Sequence, residues 1–165
     1  MDNKPNKLTR TLAKLDKAPS FLRPWLLDKA IGNTVKLVGT AGIHFAKLTH
    51  RELIAIQPNK VKMRNHIGQV HAAAMILLAE TATGILVGMN IPDEKLPLIK
   101  SLNTRFVRRT EGDIKAVATL NDEQIALIHT EDKGETLVNV TVTDATGEEV
   151  IEVEALWAWT LKKKK

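Results

Sequence analysis

Asn65-His66-Ile67-Gly68-Gln69-Val70-His71-Ala72-Ala73-Ala74, running on into Leu78-Ala79-Glu80-Thr81-Ala82, is the stretch on which the reading of this chain turns. A polar loop with one glycine leads into a long apolar run that reads as a helix and holds a single acid, Glu80. A carboxylate set among Ala, Met, Ile and Leu loses hydration, so it needs a partner or a chemical task. His71 and Glu80 are nine residues apart, which on a helix is about 13.5 Å along the axis and roughly opposite faces. The start of the helix and its acid therefore cannot surround one substrate within one chain. Two such helices lying antiparallel across a dimer axis would bring them together.

The run from Ile67 to Met89 has the roughly 20 residues that a membrane span needs. It contains His71, Glu80, Thr81 and Thr83, and an acid at mid-membrane costs about 2.5–3.5 kcal/mol on insertion scales. A central helix wrapped by protein on every side fits better, and no transmembrane span is expected.

Outward from this helix the pattern changes period. From Val35 to Arg64 the sequence reads as strands: Ile43 and Phe45 alternate with polar neighbours, Leu53 to Ile56 forms a second run, and Val61 and Met63 alternate with Lys62 and Arg64. Beyond the helix an antiparallel meander is predicted. It runs Leu98–Arg109, a turn at Thr110–Asp113, Ile114–Leu120, one helical turn capped by Asn121, Glu135–Thr143, a turn at 144–147, and Val150–Thr160. Ile151, Val153, Ala155, Trp157 and Trp159 share one face of the last strand. One long helix against five to six mostly antiparallel strands is an α+β arrangement. Ahead of it, residues 1–19 form a basic, loosely ordered segment in which Leu8, Leu12 and Leu15 allow a short helix. Ser20 is the expected N-cap of a further helix that Gly32-Asn33 ends. The domain then spans residues 20–161, with a lysine tail at 162–165.

At 165 residues the chain suits one domain. The absence of cysteine excludes disulfides, a thiol nucleophile and cysteine-bound metal, and fits a reducing cytoplasm. Met1–Lys17 is polar and basic, unlike a signal peptide. Residues 1–30 carry a net +4 and residues 162–165 a further +4, leaving 31–161 at −3 of the overall +5. Basicity thus sits in the ends, either as solvated tails or as a weak attraction to anionic surfaces. With 4% aromatic residues and no tyrosine, specific nucleic-acid binding has little support. No Gly-x-Ser-x-Gly elbow, Walker A loop or dinucleotide fingerprint is present, and the five histidines are scattered, so no metal site is expected.

Asn65, Gly68, His71 and Glu80 match the spacing Asn-x-x-Gly-x-x-His-Gly-Gly with an acid nine residues after the histidine. That pattern resembles the hotdog-fold acyl-CoA thioesterases, in particular the phenylacetyl-CoA thioesterase-like group. The resemblance covers roughly residues 33–161 and departs at Ala72 and Ala73, which replace two glycines. It implies a hotdog fold, a homodimer or dimer of dimers, and hydrolysis of acyl-CoA thioesters without metal or bound cofactor, coenzyme A entering as part of the substrate. Glu80 would be general base or nucleophile. Asn65 would orient water or hold the thioester carbonyl, or else bond local backbone as a turn residue. Ala72 at the helix start would offer its N–H to the developing oxyanion. His71 would fix the loop, and Gly68, Ala73 and Thr81 would line the substrate. Arg105, Arg108 and Arg109, with Lys115, surround one predicted hairpin and suit the phosphates of coenzyme A. Ala72 and Ala73 also motivate a second reading, a non-catalytic acyl-CoA or lipid-binding module. His66, fourteen residues before Glu80, motivates a third, an acyl-thioester dehydratase. A membrane-surface or nucleic-acid adaptor acting through the basic ends is a fourth.

Overall fold

A computed structural model of the protein describes residues 5–163. Helices α1 (Lys7–Ala13), α2 (Arg23–Thr34) and α3 (Lys36–Ala41) lead into strands β1 (His44–Leu48) and β2 (Glu52–Gln57). The long helix α4 (Ala72–Asn90) follows, then β3 (Lys95–Phe106), β4 (Ile114–Thr119), α5 (Asp122–Thr130), β5 (Gly134–Thr143) and β6 (Glu149–Leu161). The strands form one antiparallel six-stranded sheet in the order β1-β2-β4-β5-β6-β3. This sheet around a long central helix, with helices added at the N-terminus, is the hotdog fold.

The sheet cradles α4 because its inward residues are graded in size. On the middle strands the inward pairs are Leu53 with Ala118 and Ala55 with Ala116, all buried. Those alanines let the helix backbone come close. On the flanks, Phe45, Trp157 and Trp159 close the sides. Leu78, Ala79, Ala82, Leu86 and Val87 of α4 fill the space between them. By length and composition α4 has the makings of a membrane span. Eleven of its nineteen residues are nevertheless buried beneath the sheet, which accounts for its apolar character.

The ends of α4 are tied down. Asn6 caps α1 by accepting from Thr9 N–H, and its Nδ2 donates to the carbonyls of Gly88 (2.8 Å) and Ile91 (2.7 Å). It thereby satisfies carbonyls that the end of a helix leaves without partners. Lys95 is buried, and its Nζ donates to the carbonyls of Ile128 and His129 at the C-terminal end of α5, both at 2.9 Å. A cation there meets the negative end of the helix dipole.

Four sequence expectations change. Lys36–Ala41 is a helix rather than a strand, and Gly42, at φ +71°, supplies its left-handed cap. Val61–Met63 is a 3-10 turn, three residues being too few to secure a pairing. Leu22, not Ser20, precedes the first residue of α2, and Pro24 lies in its first turn. The meander fails at its first turn: β3 pairs with β6, Phe106 opposite Ile151 and Lys95 opposite Leu161, so β3 becomes the far edge of the sheet. The Asn121 cap holds, with Gln124 completing a reciprocal capping box, and its helix runs on to Thr130.

Candidate active site

The loop before α4 folds on Asn65. Its Oδ1 accepts from Ile67 N–H and Gln69 N–H, both at 3.1 Å, and its own N–H donates to Gln69 C=O. The Nδ2 amide donates to nothing among the described residues. Gly68 adopts φ +79°, where a side chain would be strained although nothing lies within 4 Å of a Cβ there. His71 N–H donates to Met63 C=O, anchoring the loop to the preceding turn. The ring then caps α4: Nδ1 accepts from Ala73 N–H at 3.0 Å. That bond requires an unprotonated Nδ1, so the ring proton sits on Nε2.

The cap divides the two alanines. Ala73 N–H is occupied by His71, and Ala74 N–H by His71 C=O. The N–H of Ala72, the first helical residue, has no acceptor among the described residues. It is the open donor at the positive end of α4.

Glu80 lies eight residues further on, about 12 Å along the axis. The helix is not wrapped on every side, as its composition had implied. Ala73, Ile76, Leu77, Glu80 and Gly84 form one incompletely buried stripe along it. Partial burial pushes the Glu80 carboxyl above its ordinary value of 4.5. The Thr81 hydroxyl lies near enough to oppose this rise in part. It is buried, and it makes no bond of hydrogen-bonding geometry among the described residues. Glu80 makes no ion pair among the described residues. Glu80 lines none of four surface cavities, of about 350–490 Å³, formed by the described residues. The nearest along the helix is the apolar one of about 490 Å³, which includes Ile85 and Gly88.

The predicted arginine cluster does not assemble as a hairpin. Arg105 stands on edge strand β3 and ion-pairs with Glu152 of β6. Lys115 stands on β4, with β5 and β6 between them. Arg108 donates to the buried Asp144 at 2.9 Å and lies 3.6 Å from Glu111. Arg109 is exposed and unpaired among the described residues. Sequence reading missed two features of the site. One is the open stripe, hidden because α4 is apolar all round. The other is the approach of Trp157 to Gly84, where a Cβ would stand 2.7 Å from the ring. The small residue opposite a large one was the available signal.

Comparison with known proteins follows the same lines. No curated protein matches the chain. A Pseudomonas aeruginosa crystal structure, described as a protein of unknown function and probable thioesterase, is 28% identical with a TM-score of 0.75, over 83% of this chain and 95% of that one. A Haemophilus influenzae thioesterase is 15% identical with a TM-score of 0.66, over 82% and 88%. A Staphylococcus aureus thioesterase is 17% identical with a TM-score of 0.65, over 76% and 98%; it has been solved with a glutamine and, separately, a glutamate replaced by alanine. The family model described as "Domain of unknown function (DUF4442)" matches residues 23–159. The chain thus belongs to the DUF4442 family, within the hotdog-fold thioesterase superfamily.

Proposed function

We propose that the protein is a cytoplasmic homodimer that hydrolyses acyl-CoA thioesters to free acid and coenzyme A. The observation that carries the reading is Glu80: a carboxylate of raised pKa, on an open apolar stripe, with no ionic partner among the described residues. The oxyanion donor that would complete a site, Ala72 N–H, is too far along the same helix to serve it. An antiparallel α4 from a second copy supplies that donor. The sheet supports such a pairing. β3 is twelve residues long, bonded on one side only, and exposes Leu96, Leu98, Ile99 and Phe106. A long, apolar, unpaired edge invites another strand. The glutamine and glutamate altered in the Staphylococcus aureus protein are fifteen residues apart, as Asn65 and Glu80 are here.

In this reading Glu80 of one protomer takes a proton from water as the water adds to the thioester carbonyl. Ala72 N–H of the partner stabilises the oxyanion, and the Asn65 amide, with its Nδ2 unused, orients the water or the carbonyl. The intermediate collapses with release of the coenzyme A thiolate. A thiol pKa near 8.5 makes this a good leaving group, so the reaction draws on no metal or bound cofactor. The acyl chain follows the open stripe past Gly84, while Thr81, expected to line it, is buried behind. Ile85, about 7.5 Å beyond Glu80 along the axis, opens on the cavity also lined by Leu8, Leu12, Ile31 and Leu96. Its volume falls in the usual range for ligand pockets. Arg109 is the one arginine of the three left unpaired for a phosphate.

The test is free-thiol release from short, aromatic and long acyl-CoAs by wild type and Glu80→Gln. Wild-type turnover with a loss of about 10²-fold or more in the variant is expected. Equal, negligible rates with retained acyl-CoA binding would instead identify a binding module, the reading that the Ala72 and Ala73 methyl groups favour.

A further inference from the structure

The most exposed aromatic side chains among the described residues lie at the start of α2. Phe21 is 79% exposed and Trp25 57%, with Leu22 between them also exposed. Phe21 and Leu22 precede the segment shared with the family, 23–159. The tip is an ordered turn. Leu22 N–H donates to Pro19 C=O at 2.9 Å, and Leu26 N–H to Leu22 C=O at 3.0 Å. Pro19 and Pro24 flank it and restrict the backbone on either side. The side chains are therefore held outward at little further cost in conformational entropy. A contiguous apolar projection of this kind marks an interaction site rather than a scatter of surface residues.

The charge around the tip is net positive. From Lys14 to Lys36 the chain carries five Lys or Arg against two Asp. Asp28 is committed elsewhere: its carboxylate bonds His44 Nδ1 at 2.6 Å and Phe45 N–H at 2.8 Å. Lys29 Nζ lies 5.9 Å from the Trp25 ring centroid, and Lys36 lines the same surface cleft. Lys14, Lys17, Lys29 and Lys36 make no ion pair among the described residues.

We propose that this tip docks the protein on an anionic lipid surface, with Phe21, Leu22 and Trp25 entering the boundary between headgroups and acyl chains and Lys14, Lys17, Lys29 and Lys36 resting at lipid phosphates. Aromatic rings favour that boundary, and lysine stems extend along apolar surface while their ammonium groups stay in water. A second copy of the chain fits less well, because a twofold contact through the tip would set like-charged lysines against one another. The inference stands on this surface alone and does not depend on the proposed reaction.

Trp157 and Trp159 are 6% and 2% exposed, so Trp25 supplies the solvent-sensitive fluorescence. The full-length protein is mixed with vesicles of phosphatidylglycerol and phosphatidylcholine, and with phosphatidylcholine alone. The expected result is co-sedimentation with the anionic vesicles and a blue shift of emission, both weakening as salt rises. Each of Lys17→Gln and Lys29→Gln should weaken binding roughly fivefold. Phe21→Ser should weaken it at least as much with an unchanged thermal midpoint, since the side chain has little to lose in the folded protein. Failure to bind anionic vesicles at low salt overturns the proposal. So does binding without a blue shift and indifferent to Phe21→Ser, which would be adhesion by charge alone. Vesicle-free self-association abolished by Phe21→Ser would assign the tip to a contact between copies and overturn it equally.

Discussion

Gly84 stands one turn after Glu80 on the open stripe of α4, and substituting it measures how tightly the flank of the sheet closes on the helix. A Cβ at position 84 would lie 2.7 Å from both Cζ2 and Cη2 of Trp157. Ordinary carbon contacts are about 3.5–4.0 Å, so the ring would have to retreat by roughly 1 Å. It has little freedom to do so, because it is buried and its Nε1–H donates to Thr83 Oγ1 at 3.0 Å. Overpacking of this kind costs about 1–3 kcal/mol, while Gly→Ala in a helix returns about 1 kcal/mol. The net expectation for Gly84→Ala is a loss of about 1 kcal/mol. Gly88→Ala is the internal control: its Cβ meets Leu8 Cδ2 at an ordinary 3.5 Å, so the helix gain of about 0.5–1 kcal/mol survives. The two variants should differ by about 2 kcal/mol, or roughly 4–8 °C in thermal midpoint. Denaturant unfolding at one protein concentration reads this directly. Gly84→Ala equal to or more stable than Gly88→Ala would refute the packing account of α4 against β6. A double-mutant cycle with Trp157→Phe should show coupling confined to position 84.

Other expectations follow from the same structure. If Glu80 is the general base, kcat/KM should rise with pH through a pKa above the ordinary glutamate value of 4.5; an acid limb at or below that value would contradict it. A raised pKa means that the folded state binds the Glu80 proton more tightly than the unfolded one, so stability falls as pH rises through the interval between the two values. Glu80→Gln should therefore melt higher than wild type at neutral pH, with the difference vanishing near pH 4.5; a variant that melts lower at neutral pH would argue for a structural ion pair. Asp144, whose side chain is wholly buried, accepts from Arg108 Nη1, Glu111 N–H, Thr146 N–H and Thr146 Oγ1. Asp144→Ala should cost roughly 3 kcal/mol by denaturant unfolding, because it strands those donors.

Much of this fold is legible in the chain. The alternation along β5 and β6, the long apolar run of α4 and the Asn121-x-x-Gln124 cap are local signals, and each produced its element. The partner of β3 is not legible, because a strand that crosses to the far edge carries the same alternation as one that turns into a hairpin. The helix Lys36–Ala41 is hard to tell from a strand for a related reason: six residues show apolar content but too little periodicity, and the stop signal is Gly42 alone. Within the site, Glu80 stands out as an acid in an apolar helix, and Gly68 as the loop's one glycine. The division of labour between Ala72 and Ala73 depends on where the His71 ring turns. The neutralisation of Arg105 and Arg108 depends on acids brought from β6 and from the turn after β5.

The central claim is that Glu80 of one protomer works with the Ala72 N–H of another, and subunit mixing tests it most directly. Ala72→Pro removes that N–H with little cost to the fold, since proline is well tolerated at the first helical position and the preceding His71 is already extended at ψ 143°. Ala72→Pro and Glu80→Gln should each be inactive alone. After dissociation and random reassociation, half the dimers are mixed and each mixed dimer holds one intact site, so activity should return to about one quarter of wild type. No recovery in verified mixed dimers would contradict a site shared between subunits.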